Sequence, residues 1–597
     1  MTDKNLTGAE NIRWNLTDLY QSIDDPKMDE DLARAVKMAD EFQEKYQGKL
    51  GDLTPAQLHD AYQEIITLTS TLYHVGQFAG LILSTNNGDE QAKALDARVD
   101  EISSKIQNKL VFLELELGAM PAETYAPFSD APELKDFRYK LCRIRETASH
   151  HLTEKEEQVI NLKKLTGSGA LTKLYDELTS AFEFDFTVDG ETRKWSGDEM
   201  RALRQHPDPQ IRREAMRLFL ERYQEHRIVF THIYNNVVKD FNIDKDLRKY
   251  SSAINVMNVG NDLDDVTVQT LMEVTSDSNR LVNRYYKIKQ KMLALDDLSL
   301  ADIYAPLPDV DKKYPWEEGK ELVLEAFKSF DDDFHNYAYR MFSENRIDAP
   351  AVPLKRGGAF CSYAAPDRDP YVFLNYTGRL RDVSTLAHEL GHAIHGYISQ
   401  EQNLVNYHSI LPLAETASVF SEMILTDRFL KNETDPRVKQ ALLTGKLEDI
   451  FSTSHRQNMF SRFELVIHKT MGERLMSGDE LCAVYHEELE RMFGDSVQYP
   501  KEYDWEWSTI PHMLHVPFYV YAYNFANLLV LALYQQYLEE GTSFIPKLKS
   551  CLALGSAARP TDIIAVTGQD VNHPDFWQKS VVYIESLIDQ LEDLITS

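Results

Sequence analysis

From Val383 to Gln400 the only Asp, Glu, Lys or Arg is Glu389, which stands among His388, His392 and His395 on a largely apolar background. A helix of this composition is not a solvated face. Buried imidazoles and a buried carboxylate are costly unless something pairs with them. The order His388-Glu389-Leu390-Gly391-His392 is an HExxH motif. At 3.6 residues per turn, His388 and His392 lie one turn apart on one face, where both rings reach a single zinc ion. Glu389, next to the first ligand, is placed to act as general base on a water molecule. Asp382 or Ser384 can cap the helix. His395 is read as structural, because three successive turns cannot all converge on one metal.

A catalytic zinc needs a third protein ligand and one open position. Ile398 stands where a third histidine of an extended HExxH pattern would fall, so a second segment must supply the ligand. Glu415, in the apolar stretch Leu413-Ala414-Glu415-Thr416-Ala417-Ser418-Val419-Phe420-Ser421-Glu422, is the candidate. Glu422 lies two turns further along the same face. It can hold a ligand histidine through the free ring N–H.

The rest of the chain predicts a mainly α protein. Leu32, Ala35, Val36, Ala39 and Phe42 recur at helical spacing, as do Ile102, Ile106, Leu110, Leu113 and Leu117. Gly167-Ser168-Gly169 breaks the helical pattern. Phe182, Phe184, Phe186 and Val188 alternate ahead of Asp189-Gly190, which predicts a hairpin. Helix resumes over about 201–240. Ala359-Phe360-Cys361 and Tyr371 to Tyr376 predict two short strands, paired as a hairpin just ahead of the motif helix. From Trp507 to Leu538 there is again no acidic or basic side chain. Pro511, His512, His515, Pro517, Asn524, Asn527 and several tyrosines argue against a membrane span. The stretch is read as a buried helix that carries polar groups to an internal site.

The 64 basic and 95 acidic residues leave a net charge of −31, which repels nucleic acid and anionic membrane surfaces. Cys142, Cys361, Cys482 and Cys551 are widely spaced, with neither a disulfide framework nor a thiolate metal pattern. They are read as buried small hydrophobes. The first residues show no apolar leader core, and a cytoplasmic location is expected.

Lys355-Arg356-Gly357-Gly358-Ala359, Leu374-Asn375-Tyr376, Asp382 through His395, and Glu415-Thr416-Ala417-Ser418 together resemble oligoendopeptidase F, of the thimet-oligopeptidase-like zinc metallopeptidases. Trp14 through Tyr20 and Ile510-Pro511-His512…Pro517-Phe518-Tyr519-Val520-Tyr521 extend the resemblance over nearly the whole chain. It implies a helical ellipsoid divided by a deep substrate channel, with a small β element next to the zinc helix. Residues 1–200 would form part of the channel wall and 201–597 the catalytic region. One zinc per chain would sit on His388, His392 and Glu415, with Glu389 as base. Late histidine and tyrosine side chains would face the reacting carbonyl: His512 and Tyr519 first, then Tyr521 and Tyr523. Val516-Pro517 and Tyr523-Asn524-Phe525 depart from the family wording, so which tyrosine acts stays open. Gly357, Gly358 and Ala359 would let a strand edge pair with an extended peptide. The expected activity is cleavage of internal bonds in short unstructured oligopeptides. Its rivals are a zinc carboxypeptidase of similar fold and an inert peptide-binding scaffold. Oligomeric state is left open.

Overall fold

The N-terminal helices start where short polar side chains satisfy their free N–H groups. Asp25 accepts the Lys27 N–H at 3.0 Å and so caps α1 (Pro26–Tyr46), where Pro26 occupies a first-turn position that needs no donor. Thr54 and Gln57 form a capping box at the head of α2 (Pro55–Thr85), and Asp89 caps α3 (Glu90–Leu110). Leu32, Ala35, Ala39 and Phe42 are buried, and Val36 is half-buried, as their spacing predicts. The second stripe buries Ile106, Leu113 and Leu117, although the helix breaks at Val111 and resumes as Phe112–Ala119. The computed structural model describes residues 7–307 and 312–596. The first six residues of the stretch read for a leader therefore lie outside the described residues.

By length and composition α2 could cross a membrane. Its Leu58, Tyr62, Leu68, Leu72, Val75 and Phe78 are instead buried in two apolar clusters, with α1 and α3 as neighbours. Asp60, Gln63 and Glu64 interrupt its other faces. This is the pattern of a core helix.

The predicted hairpin is present as β1 (Glu183–Val188) and β2 (Glu191–Ser196), which are antiparallel. Asp189 and Gly190 both have positive φ, 53° and 83°, as a two-residue hairpin turn requires. A second sheet has strand order β3-β5-β4, from β3 (Ile347–Pro350), β4 (Phe360–Ser362) and β5 (Tyr371–Tyr376). The expected hairpin is β4 with β5, paired Phe360 to Phe373 and Ser362 to Tyr371. Parallel β3 was not expected. Ile-Asp-Ala-Pro is too short and carries too little β-branched character to read as a strand.

The motif helix α4 (Leu380–Ile398) packs on β4 and β5. Of the two proposed caps the structure uses Asp382, whose carboxylate accepts from Thr377 N–H, Thr377 Oγ1 and the Arg379 N–H. Its closest helical partner is α5 (Thr416–Asn432). Further on come α6 (Arg456–Glu473) and α7 (Tyr521–Glu540).

The uncharged stretch 507–538 is not one helix, contrary to the reading above. It runs from the end of a 3-10 segment (Lys501–Thr509) through a single turn (His512–His515) into α7. Pro511 and Pro517 end regular structure, and Phe518 takes a positive φ of 62°. The cysteines also need a correction. All four are free, but Cys142 is exposed and Cys361 only half-buried.

Contacts divide the chain into two compact units, one of Met1–Ser149, Asp311–Asn432 and Gln536–Asp570, the other of His150–Val310, Glu433–Gln535 and Val571–Ser597. Neither coincides with 1–200 or 201–597. The chain leaves and re-enters each unit, which no reading along the sequence reveals.

Candidate active site

The metal-ligand candidates lie together in the first unit. On α4 the rings of His388 and His392 stand 4.9 Å apart between centroids. Glu415 is not inside the second helix but immediately before it, and its carbonyl accepts the Val419 N–H of α5 at 3.1 Å. From there its Oε2 lies 3.4 Å from Nε2 of each histidine. One ligand atom from each residue falls within 4.8 Å of the others. Ser418 Oγ donates to the same carboxylate at 2.6 Å. Glu422 Oε1 sits 2.6 Å from His388 Nδ1, which leaves Nε2 turned to the cluster.

The electrostatics follow from that crowding. Burial alone would raise the Glu415 carboxyl, but the hydrogen bond and charge of His392, with His388 and Ser418, bring it down to about 2. Burial would lower His388, yet the Glu422 hydrogen bond and the surrounding carboxylates lift it to about 9. Glu389 is 5% exposed, and burial raises its carboxyl against the opposing charge of both histidines. Among the described residues its Oε2 has no hydrogen-bond partner. Two imidazoles and a carboxylate beside this orphaned oxygen are a donor set that fits a divalent ion with a water. His395 is neutral and structural: burial takes it down to about 4, and its Nε2 meets Ser409 Oγ at 3.1 Å.

Gly391, between the two histidines, makes the helix crossing possible. A Cβ there would lie 2.6 Å from Ala417 O, 2.6 Å from Ser418 Cα and 2.8 Å from Ser421 Oγ. Gly391→Ala must therefore push α5, with Glu415, away from α4. The expected result is a loss of about 1–3 kcal/mol of stability from overpacking together with weaker metal retention. Thermal unfolding and metal analysis of the purified variant check it; a variant with wild-type metal content would refute the link between this contact and the site.

Gly357, Gly358 and Ala359 lead into the edge strand β4, and Gly358 has φ 82°. Two residues not singled out for a role from the sequence hold this loop. The Asn375 amide donates to Arg356 O at 2.9 Å and Gly358 O at 2.8 Å. The buried Lys355 ammonium meets Asp348 Oδ1 at 2.6 Å, Leu374 O at 2.7 Å and Pro350 O at 2.8 Å. An unbroken row of carbonyl partners for a lysine leaves no trace in a single sequence. Gly358 and Ala359 line one cavity together with Glu389.

In the second unit His512, Tyr519 and Tyr523 form a ring cluster, with centroids 6.2 Å (His512 to Tyr519), 6.3 Å (His512 to Tyr523) and 5.3 Å (Tyr519 to Tyr523) apart. His512 and Tyr523 are exposed and Tyr519 half-buried. Partial burial and the adjoining Tyr519 hydroxyl push Tyr523 up to about 12, so it stays a donor. Tyr521 does not join them. It is fully buried, and its hydroxyl accepts from Asn261 Nδ2 at 2.9 Å. Residues two apart in a helix face opposite sides, so Tyr521 and Tyr523 cannot share the cluster.

Glu464 of α6, also unselected from the sequence, braces this region. Its Oε1 accepts the N–H of Phe518, the residue with positive φ just before Tyr519, at 2.8 Å. Complete burial raises its carboxyl from 4.5 to about 8. The sign follows: the protonated form is favoured in the folded chain, so its contribution is intact below about 4.5 and is lost as pH rises toward about 8. Glu464→Gln removes this titration. Relative to wild type, the variant should gain about 2–4 kcal/mol between pH 5 and 8, read by denaturant unfolding at both pH values. An identical pH slope in the two proteins would disprove it.

Comparisons with known proteins show the family of the chain. The model of peptidase family M3 matches residues 202–583, and that of oligopeptidase F matches 116–184. The oligoendopeptidase F homolog of Lactococcus lactis is 25% identical, with 98% of each chain covered. Oligopeptidase PepF of Bacillus subtilis is also 25% identical, over 100% of this chain and 89% of that one. Among solved structures, a chain from Chlamydophila abortus has a TM-score of 0.88 at 24% identity over 98% of each chain. Oligoendopeptidase-F from Enterococcus faecium has a TM-score of 0.69 at 23% identity, over 96% of this chain and 99% of that one. The family implies a catalytic metal, for which His388, His392 and Glu415 are the matching cluster. The chain belongs to peptidase family M3 and is a metalloendopeptidase.

Proposed function

We propose that this enzyme hydrolyses internal bonds of short, unstructured oligopeptides, with one zinc ion per chain held by His388, His392 and Glu415. The observation that carries the reading is the meeting of two imidazole Nε2 atoms on Glu415 Oε2 at 3.4 Å, with the partnerless oxygen of Glu389 on the same helix. A bound zinc ion supplies Lewis acidity, which brings the pKa of water down to about 7 and polarises the scissile carbonyl. Glu389 takes the proton of the attacking water and returns it to the leaving amine nitrogen. Glu422 fixes the His388 ring. The edge of β4, with Gly357, Gly358 and Ala359 ahead of it, pairs with the backbone of an extended peptide, which favours substrates without structure of their own. His512, Tyr519 and Tyr523 are offered as donors to the carbonyl oxygen as it gains charge, a role that rests on the family resemblance alone, and one such donor is worth ~3–4 kcal/mol. Tyr521 keeps its buried bond to Asn261.

The names of the relatives support oligopeptides as the substrate class. The free cysteines support a cytoplasmic location, and a net charge of −31 supports the exclusion of nucleic acid and anionic membranes as partners. Mass spectrometry of a library of end-blocked peptides, digested with and without a zinc chelator, tests the proposal. Internal cuts that vanish with chelator are expected. Cleavage confined to peptides with a free C-terminus would replace it with a carboxypeptidase.

A further inference from the structure

Beside Glu389 the first unit contains a cavity of about 360 Å³, bounded by Gly358 and Ala359 and by the first turns of α4. Nearly every polar side chain in its wall is already committed. Both N–H groups of Asn375 serve backbone carbonyls. The Tyr376 hydroxyl donates to Tyr314 O at 2.8 Å, and that of Thr385 donates to Arg381 O at 2.9 Å. Asp382 holds the three donors that cap α4 on one oxygen, Oδ2. Two are not: Glu389, whose Oε2 is partnerless, and Arg381, the one cation among the lining residues. The Arg381 side chain is exposed, and among the described residues its guanidinium has neither hydrogen bond nor ion pair.

An arginine left unpaired in a chain of net charge −31 is an uncommitted fork of five N–H donors. What matches that fork is a planar anion, and the anions a peptide carries are carboxylates. Arg381 and Glu389 are eight residues apart on α4, so about 12 Å along its axis. At about 3.3 Å per residue, an extended peptide covers that distance in roughly two to four residues once the reach of the arginine is counted.

We propose that Arg381 makes this cavity a carboxylate subsite, selecting peptides that carry an acidic side chain or their C-terminal carboxylate about two to four residues from the cut bond. The inference rests on the peptidase reading above and names the substrate feature which that reading leaves open.

The test uses zinc-loaded wild type, Arg381→Ala and Arg381→Glu. One series of end-blocked peptides differs only by Glu or Gln at each of the first four positions on either side of the cut. A second series compares free with amidated C-termini at the same distances. The readout is the ratio of kcat/KM within each pair, so any general change in activity cancels. Wild type should favour the carboxylate at one position by about fivefold, Arg381→Ala should bring the ratio near one, and Arg381→Glu should invert it. Preference in the blocked series assigns the site to acidic side chains; preference only in the free-end series assigns it to the terminal carboxylate. A ratio that is the same in all three enzymes overturns the subsite and leaves the peptidase standing. If wild type cuts no peptide, neutral ones included, the peptidase reading falls and the subsite with it.

Discussion

Glu389→Gln is expected to lose about 10³-fold or more in kcat while keeping its metal. The amide has the shape of the carboxyl and adds no new bulk to α4, so His388 and His392 keep their places. It cannot accept a proton from water, nor pass one to a leaving amine. The buried Oε2 of Glu389 has no hydrogen-bond partner among the described residues, whereas Glu415 and Glu422 are engaged with the histidines. Single-turnover kinetics on a blocked peptide, alongside metal analysis of the same preparation, separate chemistry from assembly. A variant within tenfold of wild type would remove Glu389 from the reaction; one that has lost its metal would show that the residue acts through the fold instead.

Replacing Glu415 should have the second large effect, on the metal itself. Glu415→Ala removes the carboxylate on which both Nε2 atoms converge and leaves two imidazoles, too few for a tight zinc site. Glu422→Ala removes only the partner of His388 Nδ1, a kind of change that costs about 10–100-fold in affinity. Chelator competition should therefore rank wild type above Glu422→Ala, and Glu422→Ala above Glu415→Ala. Wild-type affinity in Glu415→Ala would mean that the third ligand comes from elsewhere.

The legible parts of this protein are those written in short-range periodicity. The HExxH spacing, the apolar faces of α1 and α3, the Asp189-Gly190 turn and the pairing of β4 with β5 each depend on residues within one element or one turn. The errors share a cause as well. The long uncharged stretch promised burial but hid its two prolines' effect on helix continuity, and it made Tyr521 look equivalent to Tyr523. A four-residue strand ending in proline gave β3 no signature. Lys355, Asn375 and Glu464 act through partners that are distant or purely backbone, so nothing near them in the chain announces them.

His388 and His392 owe their common face to helical geometry alone, and any helix carrying them would present them so. Whether Glu415 arrives to complete the set is decided by packing: only glycine at 391 lets α5 approach α4 closely enough. The order of amino acids thus determined which groups could bind a metal and in what local spacing. Their convergence, the orphaned oxygen of Glu389 and the unpaired Arg381 came from tertiary structure, because contacts between remote segments depend on surfaces that no local pattern specifies.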